Sequence, residues 1–286
     1  MPVPSIRVGK TGAPVESQVD ARWLMAYAAG LGDDKPCYLD TTAPEGIVAH
    51  PLFPVCFEWP VFLSTHGLPG GETILPEEQL RGVHATHDLV LHRPIRAGET
   101  LTTTATIVGV ERRPPGAYQV VRFDTLGAGG EPVCSTWYGT LYRGVGVDGP
   151  DRSPTDLLPR PPAPEDAVPQ REIPVEVSTL AAHLYSECAR IWNPIHTDAQ
   201  VAARAGLPGI ILHGTATLAL AVSRVVEEEC AGDPTRVRRV SGRFGAMVPM
   251  PSKIEVRILG RRGESVFFEV RNAAGDLAVR DGWIVA

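Results

Sequence analysis

Four pairs of residues in this chain stand at one constant separation: Asp20 and Ser178, Tyr27 and Tyr185, Pro36 and Pro194, Asp40 and Asp198 are each 158 positions apart. A single coincidence of this kind carries little weight, but four in one frame indicate an internal repeat. At 286 residues the chain is long enough for two units that each bury a core. Between Gly144 and Pro174 the apolar period disappears and seven prolines accumulate at positions 150, 154, 159, 161, 162, 164 and 169. Proline fixes φ and lacks an amide donor, so this stretch is expected to be an extended connector. The expected organisation is a first unit over 1–143, a connector over 144–174 and a second unit over 175–286.

The two units share a plan. Asp20 and Ser178 look like helix N-caps, each opening an amphipathic run, Ala21 to Gly30 and Thr179 to Ala189. A more apolar helix candidate follows in each, Val55 to Ser64 and Thr215 to Glu227, and the nearly all-apolar stretch Ala216 to Val222 belongs in a core. Asp40 and Asp198 are placed to cap the helices after them. Strand-like, β-branched segments finish each unit: Asp88 to Leu91, Leu101 to Val110, Tyr118 to Leu126 and Val133 to Tyr142, then Val237 to Phe244, Lys253 to Leu259, Ser265 to Asn272 and Leu277 to Val285. Helices first and consecutive strands afterwards indicate an α+β class with antiparallel sheets. A long apolar helix wrapped by such a sheet is a hot dog, and two copies make a double hot dog with their sheets joined side by side.

Several function classes fall away on composition. A net charge of −6 disfavours a nucleic-acid groove, which needs clustered cations. No stretch approaches the ~20 apolar residues of a membrane span, and Met1 to Lys10 lacks a signal-peptide core, so a cytoplasmic location is expected. Cys37, Cys56, Cys134, Cys188 and Cys230 are scattered without a C-x-x-C pair, which fits reduced thiols. Three lysines against 24 arginines fit a GC-rich bacterial genome. His84, His87 and His92 resemble a metal cluster, but strict alternation would put 84 and 92 on one sheet face and 87 on the other. Neither metal nor cofactor is expected.

The stretch Tyr185-Ser-Glu-Cys-Ala-Arg-Ile-Trp-Asn-Pro-Ile-His-Thr-Asp198 resembles the signature of the MaoC-like, (R)-specific enoyl-thioester hydratases, roughly Y-x-x-L-S-G-D-x-N-P-I-H. Leu212-His213-Gly214-Thr215 resembles the second motif of that family, an H-G pair opening the central helix. Arg93-Pro-Ile-Arg-Ala-Gly-Glu99 and Val248-Pro-Met-Pro251 are similar to its strand-entry turns. The resemblance implies a lyase acting on 2-enoyl or 3-hydroxyacyl thioesters of CoA or an acyl carrier protein, with a possible dimer of double hot dogs. It implies that His196 is the general base, that Asn193 shapes the site and that the Gly214 amide belongs to an oxyanion hole. Ile191, Trp192, His213 and Thr215 are the implied substrate-binding neighbours.

Hydration of a double bond conjugated to a thioester needs a base for the water proton, a proton source at C2 and donors for the enolate oxygen. The family's acid sits two residues before the asparagine, where this chain has Ile191, with Arg190 in place of the preceding glycine. Three readings follow: hydration with a carboxylate from elsewhere, a different reaction on the acyl chain, or binding without turnover. Glu187, one turn before Ile191, reads as a solvated helix face, as does the run Glu227-Glu-Glu229. A hot-dog thioesterase is a further alternative that the motif pairing disfavours.

The counterpart in the first unit, Leu31-Gly-Asp-Asp-Lys-Pro-Cys-Tyr38, keeps Gly32 and Asp33 but has Lys35 for the asparagine and Tyr38 for the histidine. Its H-G equivalent is His50-Pro51, and proline offers no N–H to an oxyanion. This unit is expected to lack the standard chemistry and to help shape the acyl tunnel.

Overall fold

The computed structural model describes residues 2–164 and 168–286. Residues 165–167, part of the expected connector, lie outside the described residues. In chain order the long strands are β1 (Val15–Val19), β2 (Gly82–Leu91), β3 (Glu99–Arg113), β4 (Gly116–Leu126), β5 (Pro132–Arg143), β6 (Arg171–Val177), β7 (Arg239–Phe244), β8 (Ser252–Arg262), β9 (Ser265–Arg271) and β10 (Leu277–Val285). The helices used below are α1 (Ala21–Gly30), α2 (Pro54–Ser64), α3 (Ala181–Ala189), α4 (Ala199–Arg204) and α5 (Gly214–Glu229).

The ten strands form one sheet in the order β1-β3-β4-β5-β2-β7-β10-β9-β8-β6, antiparallel throughout. Each half reads first, third, fourth, fifth, second from its outer edge, so the halves repeat in topology as well as in sequence. They meet through their second strands, with Asp88 of β2 opposite Ser241 of β7 and Val90 opposite Arg239. Across this seam the Arg239 guanidinium grips the Asp88 carboxylate with two bonds of 2.8 and 2.7 Å.

Alternation makes these strands. Along β3, Leu101, Thr103, Ala105 and Ile107 are fully buried while the residues between them face outward. The helices cover the inner face. In α5 the side chains of Leu218, Ala221, Val222 and Val225 are completely enclosed against β8, β9 and β10. Each such valine or leucine contributes roughly 1.5–3 kcal/mol of transfer free energy. No helix among the described residues is long and apolar enough to cross a membrane.

Several local expectations need correction. Strands β1 and β6, which precede the helices, were not anticipated. Residues 171–174, expected in the connector, open β6, where Pro174 is tolerated because the strand lies at the sheet edge. Before residue 165 the connector is strapped to the sheet: Arg239 donates to the Pro159 carbonyl at 3.0 Å and Arg112 pairs with Asp151 at 2.8 Å. Asp20 does cap α1, accepting from Trp23 N–H at 2.7 Å, but Ser178 caps nothing. Its carbonyl instead closes a turn with the Ala181 amide, delaying α3 to Ala181. Asp198 caps α4, whereas Asp40 closes a local turn onto Thr42.

The histidine geometry on β2 also differs. The register slips between His84 and Thr86, so one extra residue, Ala85, is accommodated. Such a bulge reverses the alternation beyond it. His84 and His87 therefore share a face, with ring centroids 5.4 Å apart. No group of three or more His, Cys, Asp or Glu side chains is placed to hold a metal among the described residues.

Candidate functional site

Arg190 ends α3 in the left-handed region, at φ 58° and ψ 34°. Gly32, its counterpart in the first half, has φ +67°. The backbone thus demands the same turn in both halves, and the second half makes it with arginine despite a cost of roughly 1–2 kcal/mol. The Arg190 guanidinium lies 4.0 Å over the Trp23 ring, which offsets part of that cost. This reversal turns Ile191 into the core, where it is 5 % exposed.

Trp192, expected to line the substrate, points the other way. It is 61 % exposed and donates to Glu187 at 3.3 Å. Successive side chains of extended backbone face opposite sides, so burying Ile191 sends Trp192 outward.

The Asn193 side chain then accepts from Ile195 N–H at 3.4 Å, capping the short turn Pro194–His196. Asn193 shapes the site by holding that turn. His196 Nδ1 is 2.8 Å from the Ile211 carbonyl, and that carbonyl can only accept. The proton is therefore on Nδ1, leaving Nε2 with a free lone pair. The Ile211 segment is itself fixed by Val248-Pro-Met-Pro251: Ile211 bridges to Pro249, and Leu212 N–H donates to the Val248 carbonyl at 2.9 Å.

His196 stacks on His213, with centroids 3.7 Å apart and planes at 26°. His213 is buried, and its Nε2 lies 3.2 Å from the Ser186 hydroxyl. Burial pushes the His196 imidazole down to about 4, with the Ile211 carbonyl acting weakly the other way. Burial, then the neighbouring His196, push His213 well below the usual histidine range. Both rings are consequently neutral at pH 7. Gly214 opens α5, and its N–H finds no acceptor among the described residues. A Cβ there would stand 3.0 Å from the Phe244 ring, tighter than an ordinary contact, so any larger residue would need that ring to shift. A neutral imidazole base beside a free helix-terminal amide can accept a proton and steady a developing oxyanion.

Thr215, expected to touch substrate, is enclosed and accepts a hydrogen bond from Tyr185 at 3.1 Å. The structure places His196, His213, Asn193 and Gly214, all named from the sequence, beside one another, and adds Ser186 and the Ile211 carbonyl, which the sequence did not point to. Ser186 stood inside the quoted motif with nothing to show that His213 would reach it. Among the described residues no carboxylate lies within 4.0 Å of His196.

Asp33, the counterpart of Ile191, stands elsewhere. It is 6 % exposed, takes the Lys35 ammonium at 2.9 Å, and lines a cavity of about 270 Å³ with Lys35, Leu220, Ser223, Arg224 and Glu227. Ser223 and His213 are ten residues apart on the α5 segment, roughly 15 Å of helix, so Asp33 cannot serve His196. Burial raises its carboxyl, but the Lys35 ammonium and Ser223 hydroxyl outweigh this and hold it below the usual range. His50 Nδ1 accepts from Leu52 N–H at 3.0 Å, so its Nε2 donates to Ser223 at 3.2 Å. His50 therefore cannot take a proton from Ser223, and these three residues are not a nucleophilic triad.

Comparisons with known proteins match both halves. Residues 162–281 match the MaoC like domain and residues 7–136 the FAS1-like dehydratase domain region. The chain is 26 % identical over 208 residues to the peroxisomal enoyl-CoA hydratase 2 of Arabidopsis thaliana, covering 71 % of this chain and 67 % of that one. It is 23 % identical over 274 residues to a probable enoyl-CoA hydratase 2 of Dictyostelium discoideum, covering 94 % and 91 %. A MaoC-like dehydratase of Phytophthora capsici superposes with a TM-score of 0.82 at 22 % identity, covering 96 % and 94 %. A Mycobacterium tuberculosis protein described as a double hotdog gives 0.62 at 14 %, covering 97 % and 95 %.

Proposed function

We propose, for a chain that is a FAS1-like dehydratase region joined to a MaoC-like domain and shares the double hot-dog fold, a hydratase or dehydratase acting on 2-enoyl or 3-hydroxyacyl thioesters. The thioester carrier is CoA, by likeness to the enoyl-CoA hydratases, with an acyl carrier protein as the alternative. The observation that carries the residue assignment is the His196 Nδ1 bond to the Ile211 carbonyl, which leaves Nε2 as a lone-pair acceptor near the α5 N-terminus.

In this reading His196 Nε2 takes the proton of the water as its oxygen bonds to C3, then delivers that proton to C2 of the enolate and returns to its neutral form; dehydration runs the same two transfers in reverse. The Gly214 amide and the positive end of α5 stabilise the enolate oxygen as charge moves onto it. His213, held by Ser186, fixes the His196 ring by stacking. Ile191 contributes apolar surface and no proton. A base held down to about 4 pulls only weakly on a water proton, since acid–base catalysis works best with a pKa near the working pH. The five cysteines are free thiols, which fits the proposed cytoplasmic location.

The absence of a carboxylate near His196 among the described residues favours a second reading, an acyl-thioester binding protein that reuses the pocket without hydrating. Incubating the purified protein with 2-enoyl-CoA substrates of increasing chain length separates the two. Formation of 3-hydroxyacyl-CoA supports the hydratase; binding throughout the series with no conversion selects the second reading.

A further inference from the structure

The cavity beside Asp33 belongs to the half without the histidine, and the mechanism above does not use it. Its floor and rim hold two charged groups with unmet hydrogen-bonding capacity. Asp33 is more than nine-tenths buried, yet its Oδ2 has no partner in hydrogen-bonding geometry, Lys35 being engaged on Oδ1 and the Ser223 hydroxyl acting on the carboxyl from outside that geometry. Arg224, half-buried on α5, has no ion-pair partner among the described residues, and its buried Nε is without an acceptor. A buried acceptor or donor left unmet costs about 1–3 kcal/mol, more when charged, so such a pair facing one cavity is a poised binding surface.

The charges narrow what fits. Lys35 already answers both Asp33, at 2.9 Å, and Glu227, at 3.3 Å. An additional cation would therefore find no free carboxylate pair, whereas Arg224 lacks a counter-charge. Asp33 Oδ2 accepts and cannot donate in its ionised form, so the occupant must bring it an O–H or N–H. A volume of about 270 Å³ lies at the small end of ligand pockets.

We propose that this cavity is a second ligand site, distinct from the His196 centre, that binds a small organic anion carrying a hydroxyl or amide donor. The anionic group meets Arg224 and the donor meets Asp33 Oδ2. The same chemistry is offered by a free hydroxy acid and by the phosphate, hydroxyl and amides of a phosphopantetheine arm. The site does not depend on the function assigned to His196.

Calorimetric titration of the full-length protein with 3-hydroxybutyrate, butyrate and 4′-phosphopantetheine tests it. We expect 3-hydroxybutyrate to bind about tenfold more tightly than butyrate, the difference being the hydroxyl on Asp33. Asp33→Asn should erase that preference, and Arg224→Gln should weaken both acids about tenfold or more. Arg224 sits at the rim, so its variant keeps the test decisive if Asp33→Asn fails to fold. His196→Ala should leave all affinities unchanged. Tighter binding of 4′-phosphopantetheine that is lost in Arg224→Gln supports the site and assigns it to a carrier arm; the reverse order assigns it to free hydroxy acids. No binding of any probe at millimolar concentration, binding indifferent to both cavity substitutions, or binding lost in His196→Ala would overturn the proposal.

Discussion

The hydroxyls of Tyr27 and Tyr185, equivalent residues 158 positions apart, lie 3.4 Å from each other where the two halves meet. Helices α1 and α3 cross at this point, and a Cβ on Gly30 would stand 2.8 Å from that of Cys188, another pair at the same offset. Both tyrosines are fully enclosed, and each hydroxyl has a further partner, Leu52 O at 3.4 Å for Tyr27 and Thr215 Oγ1 at 3.1 Å for Tyr185.

This shared network predicts non-additivity. Tyr185→Phe removes the donor to the Thr215 hydroxyl and leaves the Tyr27 hydroxyl with Leu52 O alone, and should cost about 1–3 kcal/mol. Once it is gone, Tyr27→Phe should cost less than it does alone. Denaturant unfolding of both single variants and the double variant measures this. Strict additivity would show that the hydroxyls do not interact.

The Arg190 turn gives an ordering of substitutions. Arg190→Ala keeps the left-handed backbone and loses the contact with Trp23, so it should destabilise by about 0.5–1 kcal/mol. Arg190→Gly loses the same contact but relieves about 1–2 kcal/mol of strain. Thermal unfolding should therefore rank glycine above alanine, and the opposite order would locate the role of Arg190 elsewhere.

How much of this was legible beforehand depended on where the determinants lay. The repeat, the central helices, eight of the strands and the meeting of His196 with His213 and Gly214 rest on local patterns, and those patterns sufficed. The face of His87 depended on a one-residue bulge at Ala85, which alternation does not reveal. Trp192 was misplaced because a single left-handed residue decides which of two adjacent side chains turns inward. The neighbours of Asp33 could not be foreseen, since Ser223 and Arg224 come from the other half across a long-range contact.

Acid sensitivity should follow from the buried histidines. His87 is wholly enclosed, neither ring nitrogen has a partner among the described residues, and burial pushes it down to about 4. In the unfolded chain it protonates near 6.5. Between these values the unfolded state binds more protons, so stability is full above about 6.5 and falls as pH drops towards 4. This one residue accounts for roughly 3 kcal/mol of that loss. His87→Phe should flatten the slope between pH 7 and 4, as read by urea midpoints. An unchanged slope would show that His87 is already protonated when folded or reached by water.

Ile191 separates the two functional readings. Ile191→Asp restores the carboxylate that the resembling hydratases carry, in a site where Asn193 replaces the Lys35 that steadies Asp33. The unpaired carboxyl will be hard to ionise and will cost stability, so folding must be followed with rate. Hydration of crotonyl-CoA should be slow in the natural protein and rise about tenfold or more in the variant. Fast hydration by the natural protein, with a loss on substitution, would mean that a different acid already serves the site.

The most direct test compares the two halves at equivalent positions. For any enoyl thioester the protein hydrates, kcat/KM should fall ~10²–10⁴-fold in His196→Ala, the usual range for removal of a general base. Tyr38→Ala, which changes the corresponding residue of the first half, should leave the chemical step largely intact in a protein verified as folded. Equal losses from both substitutions, or retention of activity in His196→Ala, would contradict the assignment of the chemistry to the second half.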